Sequence, residues 1–527
     1  QEMNDLEKQQ LIEPDKPSFF NKQKTRIQQF WSINVKPNSH IETGEQRFIS
    51  IDFLRGISTY IMLVVHIANN LIGLTPEFIQ KLAWYDYILI APVGLVSFIF
   101  GASRTLFAFI SGFSLQLTFG SQLNKLQVPS SRFKLTIKQL LFTILLLPIF
   151  YMFGVVENIL TAAGQTASSI QNKGKHWWNM ADIASSPINF FAFINLVEIP
   201  LIYIGHELTL FIKPQKVRFV IKQLVYCVMA QILLLVTNEV RISVQKACDI
   251  TFQIKSKYLA DYNIDYYFLL KKLPPGSFFK ALQLLIMQHV AGIFMPLFPF
   301  WGFHLSGIAI AEIYLQIKFQ TPQILNRKKH FVNYTLIQMG INLAFIAPNV
   351  ILAYYYYNNG FTQLPPFTFS QLPIVYDPKM EYMSYQPFMN NLIFLFCLFL
   401  FEFSPKIEKR TNMTLFFRRF STYSLTFYVC EGLFAMLMKS LFAPDWPKIY
   451  EWQTLNNVYR TLLIVLVQCV WCWLLSLLLD AAQGVYSIEW MLGCILGIFG
   501  KKKGKVSSSH LRVKSIPIRN YEYEEMR

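Results

Sequence analysis

The stretch RFISIDFLRGISTYIMLVVHIANN, from Arg47 to Asn70, is mostly apolar and is long enough to cross a bilayer as a helix. About 17–25 apolar residues span a hydrocarbon core. The stretch nevertheless carries Asp52, Arg55 and His66. An ionised side chain in the middle of a membrane helix costs about 2.5–3.5 kcal/mol on insertion scales. These three side chains therefore either face a protein-lined cavity or lie at the two boundaries of the membrane.

The composition indicates that most of the chain lies in lipid. Only 15% of the 527 residues are charged, whereas 53% are hydrophobic. Soluble domains carry about 25% charged residues. Four more apolar windows approach or exceed the length of a membrane span: LLFTILLLPIFYMFGVV, LVYCVMAQILLLVT, NLIFLFCLFLFEF and TLLIVLVQCVWCWLLSLLL. The sequence therefore predicts an all-α polytopic integral membrane protein, a helix bundle whose first partner is the lipid bilayer.

The net charge of +17 is distributed over alternate loops and is not gathered in one patch. Lys and Arg cluster before the first helix, in the tail sequence KKKGK and in four loops: Lys125–Lys138, Lys213–Lys222, Lys318–Lys329 and Lys406–Arg419. Basic loops lie on one side of a membrane by the positive-inside rule. The pattern predicts about ten crossings with both termini on the basic side, Phe278–Lys318 counting as one crossing. It does not favour a nucleic-acid partner.

Composition divides the chain into a polar arm over residues 1–46, a transmembrane domain over 47–500 and a basic, charged tail over 501–527. Arm and tail cannot bury enough surface alone to offset an ordering entropy of about 1–2 kcal/mol per residue. We expect both to contact other membrane-protein subunits. The numbering begins at Gln and not at Met, which indicates processing or renumbering. Together with the basic charge, this favours the mitochondrial inner membrane.

Helical geometry relates the polar residues of the first stretch to one another. Arg55 and His66 are eleven residues apart, which places them about 20° from each other around the helix and about 16 Å apart along it. Asp52 precedes Arg55 by three residues and is close enough to pair with it. Gly56 allows another backbone to approach. The stripe indicates a polar cavity, or an interfacial Asp–Arg pair with His66 at the far headgroup boundary.

The sequence RFISIDFLRG followed by His66 resembles the first helix of transmembrane acyltransferases, in particular the heparan-α-glucosaminide N-acetyltransferase-like group. Four further segments resemble later parts of that family in the same order. They are Thr105–Leu117, Pro296–Tyr314, Tyr423–Phe434 and Tyr486–Gly497. The resemblance covers most of the chain and implies an acyltransferase-like transmembrane domain.

The resemblance implies that an acyl group moves within the membrane from a thioester donor, an acyl-CoA, to a hydroxyl or amine acceptor. On this interpretation His66 deprotonates the acceptor or carries the acyl group. Arg55 and Arg104 bind donor phosphates or stabilise an oxyanion. Asp52 orients Arg55. The sequence contains no metal-binding motif, and no metal site is predicted.

The chain also departs from the family pattern. Leu82 stands where a reactive histidine is expected, and Cys430 and Glu431 stand where the late helix of the family often has a histidine. Gly493 stands near the place of a basic residue. A fold that keeps its glycines and aromatics while it loses polar positions is typical of a scaffold derived from an enzyme. The alternative function is therefore a non-catalytic accessory subunit of a large membrane assembly.

Two further histidines are candidates for a buried site. His289 and His304 flank a predicted helix break at Pro296 and Pro299. A broken helix is tolerated in a membrane where it is buried in protein or lines a cavity. We expect these histidines to replace His66 as candidates if His66 is dispensable.

Overall fold

The computed structural model describes the following parts of the chain: 49–72, 103–164, 187–247, 297–320, 324–358, 380–401, 415–430, 455–482 and isolated residues within 279–290 and 487–492. Over these residues nearly every position is helical and none lies in a strand. The all-α prediction is confirmed. The arm and the tail lie outside the described residues, so the division at 46 and 500 stays a prediction.

The chain divides into two compact units, Phe48–Cys469 on the one hand and Gln1–Arg47 with Val470–Arg527 on the other. The second unit contains the described end of the last helix, where the Ser476 hydroxyl donates to the carbonyl of Trp473 at 2.7 Å. All contacts described below lie in the first unit.

The helices follow one another in the order α1 (Ile49–Ile72), α2 (Ser103–Leu115), α3 (Ser121–Lys125), α4 (Pro129–Gly164), α5 (Pro187–Thr209), α6 (Gln215–Ala247), α7 (Leu297–Gln320), α8 (Ile324–Asn358), α9 (Met380–Phe401), α10 (Leu415–Thr422) and α11 (Leu455–Ala481). A π-helical turn, Gln116–Gly120, joins α2 to α3. Proline is accommodated inside α4, α5, α8 and α9.

Five helical segments of the described chain are long and apolar enough to cross a membrane: Thr105–Lys125, Pro129–Val156, Asn189–Thr209, Lys216–Thr237 and Lys329–Pro348. The outer surface of α4 exposes large apolar side chains, including Leu141, Leu145 and Met152. An extended apolar surface of this kind is stable against lipid and costly in water. The fold is compatible with a multi-pass protein in a lipid bilayer.

Helix α7 lies at the centre of the bundle, and residues 302–313 are all buried. It packs most extensively against α2 and α6. Two glycines permit the contact with α2, since Gly307 faces the backbone of Phe109 and Gly112 faces the backbone of His304. Small residues at helix contacts allow the backbones of membrane helices to approach closely.

The predicted break lies at the beginning of α7. Phe298 has φ −99° and ψ 117°, outside the helical region, and the Phe298–Pro299 peptide bond is cis. His304 follows within the regular part of α7.

Side-chain contacts fix the relative directions of the helices. Helix α6 runs antiparallel to α7, because Lys222 contacts Glu312 and the carbonyl of Ala230 lies beside Gly302. It runs parallel to α8, with three contacts at a constant separation of 111 residues: Gln223 with Tyr334, Cys227 with Gln338, and Gln231 with Asn342. Polar side chains thus connect these helices inside the bundle.

Candidate functional site

Asp52 and Arg55 lie where α1 contacts its neighbours. Asp52 is 4% exposed, and its Oδ1 accepts a hydrogen bond from the Ser421 hydroxyl at 3.3 Å. The Nη2 of Arg55 donates to the Ser114 hydroxyl on α2 at 3.2 Å. Gly56 meets the backbone of Phe417. The structure therefore places both predicted residues in contacts between α1 and neighbouring segments.

The side chains of His66 and Arg104 lie outside the described residues, although their backbones belong to α1 and α2. The region around Leu82 and the positions of Glu431 and Gly493 also lie outside it. The catalytic role of His66 and the donor-binding role of Arg104 stay predictions.

A histidine–carboxylate pair lies between α5 and α7. Glu198 and His304 are both 0% exposed, and Oε1 of Glu198 is 3.5 Å from Nδ1 of His304. The indole Nε1 of Trp301 donates to the same carboxylate oxygen at 2.7 Å. Because Trp301 holds the carboxylate in place, Glu198 can stabilise the His304 imidazole when it is protonated.

A second cluster surrounds Lys222 of α6, which is 4% exposed. Its Nζ lies 3.3 Å from Nδ1 of His206 and 3.5 Å from Oε1 of Glu312. The side-chain amide of Gln116, in the π-helical turn, donates to the same oxygen of Glu312. The Lys222–Glu312 pair is enclosed by protein, where an unpaired charge would be strongly destabilising.

Tyr226 lies between the two clusters. It is one helical turn from Lys222 on α6, and its backbone lies between the levels at which Lys222 contacts Glu312 and Ala230 lies beside Gly302. The hydroxyl approaches α5 closely, because a Cβ atom on Gly205 would lie only 2.8 Å from it. Gly205 thus provides the space that the Tyr226 hydroxyl occupies between α5 and α6.

The residues that α5 and α7 contribute to each cluster lie at the same position along the helix axes, because α5 and α7 are parallel. Glu198 and His206 are eight residues apart on α5, as are His304 and Glu312 on α7. At 1.5 Å per residue, each spacing corresponds to about 12 Å. The Cα atom of Tyr226, about 6 Å from that of Lys222 along α6, lies halfway between the clusters, whereas its hydroxyl lies beside Gly205, the residue before His206.

An ion pair lies next to the Lys222 cluster, near the basic loop between α5 and α6. Glu207 accepts from Nε of Arg132 at 2.5 Å and from Nη2 at 2.9 Å. Arg132 also donates to the carbonyls of Leu126 and Gln127. The Glu207 side chain is 28% exposed, so this member of the ion pair is partly open to the surroundings.

His289 lies beside the part of α5 that precedes Glu198, on the side away from the Lys222 cluster. Its ring stacks on Phe193 of α5 with the centroids 4.5 Å apart, and its Nε2 hydrogen bonds with the hydroxyl of Tyr151 on α4. Phe193 precedes Glu198 by five residues, about 7.5 Å along the helix. The two candidate histidines, His289 and His304, are thus arranged one after the other along α5.

Chemically, the pair of Glu198 and His304 can accept and release a proton, which is the property of a general base. Within the described part of the chain, no group of three or more His, Cys, Asp or Glu residues is placed to hold a metal ion.

The sequence predicts some polar residues of the site, but it does not predict which of them contact each other. His304 is predicted as a candidate, whereas Lys222 is assigned by the charge pattern to a basic loop, and the structure buries it inside the bundle. Tyr226 and Gln116 are missed because a tyrosine or a glutamine in an apolar window gives no distinct signal. The place of Lys222 within the apolar sequence VIKQLVYCV could have identified it as an intramembrane charge.

Comparison of the chain with protein-family models, with curated proteins and with solved structures finds no match.

Proposed function

We propose that the protein is a membrane-embedded acyltransferase that moves an acyl group from a CoA-type donor to a hydroxyl or amine acceptor, with His304 as its general base. The supporting observation is the Glu198–His304 pair, in which Trp301 fixes the carboxylate. Helices α2 and α7, which carry two of the five segments of the family resemblance, pack directly against each other around His304.

In this reaction the acceptor oxygen or nitrogen attacks the thioester carbonyl carbon while His304 takes the acceptor's proton. Glu198 stabilises the imidazolium that results. The carbon–sulfur bond then breaks, and the thiolate of the donor leaves and takes up a proton from the imidazolium. Arg55 and Arg104 are the proposed ligands of the donor phosphates, as the family resemblance implies.

The base is tested by thiol release from acyl-CoA with the purified protein in nanodiscs. We expect His304→Gln to lower the turnover by about 10²–10⁴-fold, the usual contribution of a general base. His330→Gln is the matched control, because His330 is exposed on α8. Loss of turnover in His66→Ala together with an active His304→Gln would move the assignment to His66.

A second candidate function is that of a non-catalytic accessory subunit of a membrane assembly. The observation that favours it is that Glu198 and His304 are both 0% exposed, whereas acyl transfer needs access for a CoA-sized donor. On this proposal the segments 1–46 and 501–527 contact neighbouring subunits in the mitochondrial inner membrane. Co-purification of other subunits that depends on these two segments, with no thiol release by the protein, would establish it.

For either function we propose about ten crossings with both termini on the basic side. Four helices beyond the five apolar ones, α1, α7, α9 and α11, have 24, 24, 22 and 27 residues and bring the candidate crossings among the described residues to nine. The proposed tenth crossing lies within residues 402–454. The directions of α4 to α8 alternate as the basic loops predict.

Helix α10 is the exception to this alternation. Gly56 meets Phe417, and Asp52 meets Ser421, so α10 runs antiparallel to α1 at their contact. A ninth crossing that leaves the basic side would instead run parallel to α1. A topology experiment should therefore concentrate on residues 402–454.

A further inference from the structure

Six protonatable side chains form one column between α5, α6 and α7, here called the polar column. Its members are His206, Lys222, Glu312, Tyr226, Glu198 and His304. All six are buried. Ionisable groups inside membrane helices are costly and mark ion pathways or proton relays. The two pairs Lys222–Glu312 and Glu198–His304 account for four of these groups, so His206 and Tyr226 require a further explanation.

Several atoms of the polar column lack a hydrogen-bond partner among the described residues. They are Oη of Tyr226, Oε2 of Glu198, Oε2 of Glu312 and both ring nitrogens of His304, whose Nδ1 lies at ion-pair distance from Glu198 without a hydrogen bond. Each unsatisfied buried polar atom costs about 1–3 kcal/mol. Ordered water satisfies such atoms when two to four polar partners surround a site. These atoms can therefore donate and accept hydrogen bonds in a chain that includes water.

We propose that the polar column is a proton pathway through the membrane. It begins at Glu207 on the basic side, the partly exposed member of the Arg132 pair. It passes through His206 and Lys222 to Glu312, then by way of Tyr226 to the Glu198–His304 pair.

Beyond His304 the pathway reaches His289 and Tyr151, which lie further from the basic side. From His206 to Phe193, which stacks on His289, is thirteen residues of α5. This distance is about 20 Å, two-thirds of a hydrocarbon core of about 30 Å. The groups therefore cover most of the apolar thickness.

Each transfer along the pathway conserves atoms and charge. The Lys222 ammonium has no lone pair, so it first releases a proton to Glu312 and then takes one from His206 or water. Each other group accepts a proton on a free lone pair from the preceding group or water and releases its own proton to the next one. After one proton has left at the far end, reorientation of the hydroxyls and waters restores the starting state. Only one proton has then crossed, and no oxidant, reductant or other reactant is required.

Tyr226 is the decisive member of the pathway. Its backbone lies between the two clusters, because Lys222 contacts Glu312 and Ala230 lies beside Gly302, and its hydroxyl lies beside Gly205 of α5. Because the hydroxyl has no partner among the described residues, it does not hold the fold together by a hydrogen bond. Replacing it with hydrogen therefore interrupts proton transfer without removing a stabilising contact.

The experiment measures proton flux in proteoliposomes. Potassium-loaded vesicles that contain the full-length protein and a lumenal pH-sensitive dye receive valinomycin, and the resulting potential drives proton uptake. We expect the wild-type protein to exceed protein-free vesicles at least tenfold, and Tyr226→Phe to lose most of that excess. Tyr334→Phe is the matched control, because it removes one hydroxyl from α8 outside the polar column.

Stability separates a broken pathway from a broken fold. We expect Tyr226→Phe to unfold at the same temperature as the wild type or higher, since an unsatisfied hydroxyl is removed. Glu312→Gln should also lose flux. Wild-type flux equal to that of protein-free vesicles, or full flux through Tyr226→Phe, would overturn the proposal. The assay contains no acyl donor, so its result does not depend on the proposed acyl transfer.

Discussion

Gly307→Ala tests whether the contact between α2 and α7 determines the stability of the bundle. A Cβ atom at Gly307 would lie 2.8 Å from the carbonyl carbon of Phe109 and 2.9 Å from the amide nitrogen of Phe113, and it would overlap the Phe109 oxygen. Non-bonded carbon atoms need about 3.5–4.0 Å. The two backbones must therefore separate by about 1 Å, because backbone atoms cannot rotate away as a flexible side chain does.

The expected loss of stability follows from this separation. A gap of about 0.5–1 Å forfeits a quarter to a half of the attraction between facing atoms. Overpacking of a dense core typically costs about 1–3 kcal/mol. The exchange of glycine for alanine inside a helix returns about 0.5–1 kcal/mol. We expect Gly307→Ala to lower the free energy of unfolding by about 0.5–2 kcal/mol, the cost of overpacking less the gain from alanine.

Gly340→Ala on α8 is the matched control. Among the described residues, no atom beyond its chain neighbours and the backbone of its own helix lies within 4 Å of the position that its Cβ would occupy. The same chemical change should therefore leave stability unchanged or raise it by about 0.5–1 kcal/mol. Reversible unfolding of the purified protein in mixed micelles, followed by circular dichroism, measures both variants. Equal stability of Gly307→Ala and Gly340→Ala would refute the inference that close backbone contact holds α2 against α7.

Two further experiments address the buried charges and the topology. Lys222→Met leaves the Glu312 carboxylate unpaired and should lower the free energy of unfolding by about 3–5 kcal/mol. The double variant Lys222→Met with Glu312→Leu should recover most of this loss. Equal free energies of unfolding of the single and double variants would contradict this pairing. Cysteines introduced at Gly44 and Asn359 should react with membrane-impermeant reagents from opposite sides, because alternate loops carry the Lys and Arg residues. Labelling of both from the same side would contradict the predicted topology.

The all-α architecture is predictable from the sequence because lipid imposes a simple rule on the backbone. Every peptide group must be hydrogen bonded within the membrane, and a long apolar window meets this need as a helix. The windows that contain Leu141 and Val225 are therefore helical in α4 and α6. The burial of α7 is not predictable from its apolar content, because a lipid-facing helix is equally apolar.

The position of α7 depends on glycines whose partners are distant in the sequence. Gly307 and Gly112 each face a backbone on the other helix, almost 200 residues away. The sequence shows that small residues are present in both segments and predicts that helices approach there. Which two helices approach depends on the shapes of all the others, and this information is not contained in either segment alone.

The two clusters of the polar column depend on equal spacings between polar residues on α5 and α7. The sequence contains these spacings, but they become informative only when the directions of the two helices are known. Glu198 and His206 are eight residues apart on α5, and His304 and Glu312 are eight residues apart on α7. Two parallel helices with equal polar spacings can bring both pairs to matching heights at once, whereas antiparallel helices would match them in the opposite order. The alternation of basic loops already predicts that α5 and α7 run in the same direction. Combining that direction with the equal spacings would have selected these four residues, and Tyr226 completes the column because antiparallel α6 places it between them.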